Sequence, residues 1–220
     1  MIHIDALIAE ADSLLTPQSF VDYGPNGLQV PNSQPVDTIV TSVSASAELF
    51  ERAAEAGAQL VLVHHGLWWP GMPQHVDAAL YKRLKPLFEH DIALAAYHLP
   101  LDAHPEIGNN ALLAEALGLT DLERFGDVGF AGRFASGPVP KTELVARVRE
   151  VTGRDPLHLD FGPDDVATLA IVSGGAAGEV ATAISGGYDA FLTGEPRENV
   201  MTTAREGQFH FIAVLQVATE

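Results

Sequence analysis

The feature of this chain that most narrows its fold is a recurring unit. A helical stretch leads through a glycine or polar turn into a short apolar run, and a polar residue stands where that run stops. Residues 48–56 read as a helix, Gly57 suits its left-handed cap, and the run 59–63 ends at His64-His65. Residues 78–90 precede the run 92–97, which ends at His98 and, past Pro100, at Asp102. Residues 176–185 lead through Gly186-Gly187 to 188–192 and then Thr193-Gly194-Glu195. Residues 197–206 lead through Gly207 to 209–214 and end near Gln216 and Glu220. Strands this apolar are buried on both faces, and helices between them make parallel neighbours. The expected fold is α/β and two-lobed, with largely parallel or mixed sheets flanked by helices.

In open α/β sheets ligands bind in the crevice beyond the carboxyl ends of the strands, which is where these polar residues fall. An amphipathic helix over residues 4–15 opens the chain, and a loop from Asp22 to Pro35 feeds a β-branched strand at 38–43. The first lobe is expected to be 1–125, carrying both histidine segments. Residues 126–165, with Pro138, Pro140 and a helix at 141–152, read as an inserted or second-lobe segment, and 166–220 as the part that closes the site.

Composition removes several function classes. With no cysteine, the chain has no disulfide, thiolate zinc site or cysteine nucleophile, so any metal must be held by His, carboxylates and water. Twelve Lys plus Arg against 29 Asp plus Glu give a net charge of −17, which argues against non-specific nucleic-acid binding and an anionic membrane. The N-terminal stretch is interrupted by Asp5, Glu10 and Asp12 and does not read as a signal peptide, and no apolar run approaches the roughly 20 residues of a membrane span. A cytoplasmic protein is expected.

His64-His65 carries the strongest chemical signal. Neighbouring strand residues point to opposite faces, so both imidazoles serve one site only where the strand ends, and one metal per imidazole suits that place. The pair taken alone also fits one buried, hydrogen-bonded histidine beside a solvated one. Asp102 supplies a carboxylate of the kind that bridges two cations roughly 3.5–4 Å apart. His98 and His104 are candidates for substrate or supporting contacts. Trp68-Trp69, before Pro70-Gly71, read as a cleft lid or subunit contact, or as core.

These motifs, in this order, resemble the Nif-three-like dinuclear metal-centre family, also described as GTP cyclohydrolase I type 2 homologues. The resemblance rests on Asn26-Gly27-Leu28-Gln29-Val30, His64-His65-Gly66, Tyr97-His98-Leu99-Pro100-Leu101-Asp102, Gly108-Asn109-Asn110, Ser173-Gly174-Gly175, Thr193-Gly194-Glu195 and Ala218-Thr219-Glu220. It implies a toroidal homohexamer whose subunits each hold two divalent ions (Zn, Fe or Mn), with His64, His65, Asp102 and Glu220 at the positions of family ligands. One position departs: Leu215-Gln216 stands where the family has Gly-His, which implies a weakened second metal position. Members also usually continue past the position of Glu220. The expected activity is metal-assisted hydrolysis of a small molecule, with Glu195 taking a proton and His98 orienting substrate or water. The alternative is a non-catalytic, metal-dependent binding or regulatory hexamer. No Gly-x-x-x-x-Gly-Lys loop is present to hold a triphosphate, so the sequence does not point to GTP.

Overall fold

The computed structural model describes residues 1–73 and 75–220. They divide into two compact units, Met1–Leu101 and Asp102–Glu220.

The first unit is built on a four-stranded sheet. Its elements are α1 (Ile4–Leu15), β1 (Gly27–Val30), β2 (Ile39–Ser44), α2 (Ala47–Glu55), β3 (Leu60–His65), α3 (Ala78–Glu89) and β4 (Ala93–Ala96). The strand order is β1-β4-β3-β2, parallel except for β1. Ser46 and Asp77 cap α2 and α3 by accepting from Leu49 N and Leu80 N, which is why both helices start where they do. Alternation then divides the sheet. Val61, Val63, Leu94 and Ala96 pack with Phe50 and Ala53 of α2 and with Leu80, Leu84 and Leu87 of α3. Leu60, Ala93 and Ala95 pack with Ile4, Leu7 and Ile8 of α1. Because both faces are covered, β3 and β4 read as uninterrupted apolar runs, and each fully buried Leu or Phe contributes about 2–3 kcal/mol.

The short helix α4 (Leu99–Asp102) carries the chain on to α5 (Asn109–Ala116), β5 (Leu119–Phe125), β6 (Gly129–Phe134), β7 (Val139–Pro140), α6 (Lys141–Thr152), β8 (Leu157–Asp160), β9 (Asp165–Val166) and β10 (Thr168–Val172). After these come α7 (Val180–Ser185), β11 (Ala190–Thr193), α8 (Val200–Glu206) and β12 (His210–Ala213). The second unit holds a six-stranded sheet of order β5-β6-β10-β11-β12-β8, with β7 and β9 paired separately. Leu169, Ile171, Leu192 and Ile212 pack with Leu113 and Ala114 of α5, with Leu117 just past it, and with Leu144 and Val148 of α6. The alternate positions Ala170, Phe191 and Phe211 are equally buried, as are Val180, Ala183, Val200 and Ala204 of α7 and α8.

Two features differ from the sequence reading. The division falls after Leu101 rather than near 125, and residues 126–165 form no lobe of their own: β6 pairs with β10 and β8 with β12, inside the sheet that 166–220 also builds. The reason lies in the turn at Gly126, whose left-handed backbone (φ +59) closes β5 and β6 into an antiparallel hairpin across three residues. Only the β10-β11-β12 centre of this sheet is parallel, so the sheet is mixed. Among the described residues no helix is long and apolar enough to cross a membrane.

Candidate metal centre

Strand β3 runs through His65, and the chain leaves the sheet at Gly66. Alternation sends His64 toward the α1 face and His65 toward the α2/α3 face, but at the strand end their ring centroids lie only 4.6 Å apart. His98, just beyond β4, brings its ring to 5.0 Å from His64 and 5.5 Å from His65. One ligand atom from each of the three falls within 4.8 Å of the others.

Each imidazole is oriented through Nδ1. His64, buried, has Nδ1 3.0 Å from the Tyr97 carbonyl. His65 Nδ1 lies 3.2 Å from Ser44 Oγ, its register partner on β2. His98 Nδ1 donates to Asp22 Oδ1 at 2.6 Å. Histidines that ligate metals are typically fixed in this way, so Nε2 of His64 and of His65 is the nitrogen a metal would take, while His98 presents its Nε2 beside them.

The loop before and within β1 supplies the support. Asp22, with 3% of its side chain exposed, also accepts from Tyr23 N, Asn26 Nδ2 and Leu99 N at 2.6, 2.9 and 3.0 Å. Burial pushes this carboxyl up, but the hydrogen bonds from His98 and Asn26, the charge of His98 and the Leu99 amide outweigh it and hold the pKa at about 2. Asp22 therefore stays ionised and keeps the His98 proton on Nδ1. Asn26 Oδ1 in turn accepts from His98 N at 2.8 Å. Gln29 clamps the other side: Oε1 accepts from Leu67 N and Nε2 donates to Pro25 O, both at 2.8 Å. A Cβ at Gly66 would sit 2.3–2.7 Å from that amide and would displace it from both hydrogen bonds. Trp69 closes over the cluster edgewise, 5.5 Å from His65 and 5.1 Å from His98, with its indole N–H on the Gly66 carbonyl. Tyr97 donates to Asp12 Oδ1 at 2.7 Å. Burial, with Asp12 beside it, raises its phenol pKa above the usual value and keeps it a donor.

The remaining sequence candidates belong to the second unit. Asp102 is buried, and its Oδ1 accepts from Asn109 Nδ2 at 2.8 Å and Ser173 Oγ at 2.9 Å. Asn110, fully buried, donates to the Asp102 and Val128 carbonyls and accepts from Ser173 N. Asn109, Asn110 and Ser173 of the Gly108-Asn109-Asn110 and Ser173-Gly174-Gly175 motifs thus converge on Asp102. Glu220 Oε1 accepts from Gln216 Nε2 at 3.1 Å, and Thr219 Oγ1 accepts from Gly174 N. A Cβ on Gly174, whose φ is +70, would come within 3.0 Å of Glu220 Oε1. Glu195 is exposed at the end of β11, beside Gly175. His104, half-buried, accepts from the Glu106 and Ile107 amides through Nδ1.

Sequence reasoning found the histidines but assigned no role to Asp22 or Tyr97 and left Trp69 open. The signal for Asp22 was its spacing from Asn26 in a loop otherwise rich in turn residues.

The donor chemistry fits divalent transition ions. Three imidazoles so close together are a donor set that can hold a metal ion, and the Nδ1 partners hold the rings ready. Comparison with known proteins places the chain in a family. The family model Duf34/NIF3 (NGG1p interacting factor 3) matches residues 2–220. A Pseudomonas aeruginosa protein called GTP cyclohydrolase 1 type 2 homolog is 42% identical over all of this chain and 88% of its own length. The Escherichia coli K12 protein of that name is 43% identical over 90% of this chain and 81% of its own. Among solved structures, a protein described as ybgI, of unknown function, superposes with a TM-score of 0.95 at 40% identity, over all of this chain and 89% of its own. TTHA1606 from Thermus thermophilus gives 0.91 at 36%, over all of this chain and 88% of its own. With histidines, supporting loop and whole-length similarity in agreement, this chain belongs to the DUF34/NIF3 family.

Proposed function

We propose that the chain is a metal-dependent hydrolase of a small molecule, with His64, His65, Asp102 and Glu220 as ligands of two divalent ions. The observation that carries the reading is the meeting of three imidazoles at the ends of β3 and β4, each oriented through Nδ1. Bound ions would supply an acidified water and an electrophile for a carbonyl, ring or phosphoryl group.

The chain's own residues do the rest. His98, with its Nδ1 proton held by ionised Asp22, presents Nε2 as its lone-pair nitrogen and accepts or returns a proton there. Glu195 is the second proton acceptor. Trp69 and the half-buried Trp68 limit water around the histidines. Asn109 and Ser173 hold one Asp102 oxygen, and Gln216 holds one Glu220 oxygen.

Metal analysis and turnover on the same samples test the reading. His64→Ala/His65→Ala loses turnover and the ions of this centre, whereas His98→Asn retains metal and loses turnover against a panel of nucleotides and cyclic amides. A double variant that binds as many ions as the native chain refutes the ligand assignment. Gln216 favours a second reading, a non-catalytic binding or regulatory protein, because an amide is a weaker ligand than the imidazole it replaces. Tight metal binding without turnover on any of these compounds selects it. The resemblance extends the proposal to a cytoplasmic homohexamer, tested by native mass spectrometry and cell fractionation.

A further inference from the structure

A second histidine cluster lies in the second unit, at the edge of the six-stranded sheet. β8 pairs antiparallel with β12, placing Asp160 opposite His210 and His158 opposite Ile212, so all three polar side chains project from one face. That face is the one Leu144 and Val148 of α6 cover, and His210 is fully buried in it. The His158 and His210 rings lie 5.0 Å apart. His158 Nε2 is 3.1 Å from His210 Nδ1, and Asp160 Oδ1 is 3.6 Å from the same nitrogen. One ligand atom from each lies within 4.8 Å of the others.

We propose that His158, Asp160 and His210 form a mononuclear site for an imidazole-seeking divalent ion of the zinc, nickel or copper class. Two separations, 3.1 and 3.6 Å, are shorter than twice a metal–ligand bond of about 2.0–2.2 Å, so one ion reaches all three atoms after small side-chain movements. An independent feature points the same way. His210 Nε2 donates to the Pro163 carbonyl at 2.7 Å, which fixes the neutral tautomer with Nδ1 as the lone-pair nitrogen facing His158 and Asp160. Gly162 secures that orientation, since a Cβ there would meet the His210 ring at 2.6–2.9 Å. A hydrogen bond between the imidazoles is the arrangement without metal; loading requires His158 to carry its proton on Nδ1 instead.

Lys141, at the start of α6, is the built-in competitor. Its ammonium lies 2.9 Å from Asp160 Oδ1 and 3.1 Å from Asp164 Oδ1. Asp164 keeps the lysine when an ion takes Asp160, so occupancy depends on how strongly this ammonium opposes the incoming charge. Two protein imidazoles and one carboxylate leave a fourth position for water or an external ligand.

Equilibrium dialysis of Zn²⁺ against the full chain carrying His64→Ala/His65→Ala tests the site without the first cluster. We expect one ion per chain, lost on adding either His158→Ala or Asp160→Asn, each checked for native circular dichroism. Lys141→Met tightens binding roughly tenfold by removing a nearby positive charge. Zinc uptake that neither His158→Ala nor Asp160→Asn changes, or no uptake at all, overturns the proposal whether or not the first cluster binds metal.

Discussion

Replacing Gly66 by alanine tests whether the candidate centre is held by the Gln29 clamp. The new Cβ would lie 2.3 Å from Gln29 Nε2 and 2.5 Å from Oε1, too close for either to stay. Moving the amide breaks its hydrogen bonds to Leu67 N and Pro25 O. Leu67 is fully buried, so its N–H loses its acceptor at a cost of about 1–3 kcal/mol, and the Pro25 bond adds about 1 kcal/mol. The expected loss for Gly66→Ala is therefore about 2–4 kcal/mol. Gln29→Ala gives up the same bonds without a clash, so adding Gly66→Ala to it costs no more than about 0.5 kcal/mol, a coupling of at least about 1.5 kcal/mol. Urea unfolding followed by tryptophan fluorescence measures this cycle, because the two tryptophans of the chain, Trp68 and Trp69, both lie in the first unit. Equal costs for Gly66→Ala in both backgrounds refute the clamp.

Asp22→Asn removes the charge that holds the His98 tautomer; long-range nitrogen–proton NMR should show protonation at Nδ1 in the native chain and a mixture in the variant. Tyr97→Phe loses a 2.7 Å bond to the Asp12 carboxylate and should cost about 1–2 kcal/mol in the same urea assay. Asp91 gives the pH dependence: hydrogen bonds from the Ser33 hydroxyl and amide hold its pKa below the ordinary 3.8. A depressed carboxyl stabilises the fold above 3.8 and loses that contribution as pH falls through its folded value. Asp91→Asn should therefore have a lower urea midpoint than the native chain at pH 7, and the gap should narrow below pH 4. An unchanged gap at pH 3 would rule this out.

The α/β class and the helices at 4–15 and 141–152 were legible because apolar residues recur there at helical spacing. The His64-His65 pair was legible because a strand too apolar to end by itself stopped at two imidazoles. What stayed hidden depended on long-range pairing. The hairpin at Gly126 read as a boundary, and β8 was not recognised because Leu157 and Leu159 alternate with polar His158 and Asp160 on a sheet edge. His158 and His210, 52 residues apart, meet only through that register. Asp22 looked like one more loop carboxylate until Asn26, Leu99 and His98 closed around it.

The most direct test of the central claim is an anomalous-difference map from crystals grown with zinc or manganese, collected on both sides of the metal edge. The account predicts density within about 2.0–2.2 Å of Nε2 of His64 and of His65. An empty map around those nitrogens, with the imidazoles well ordered, would contradict it.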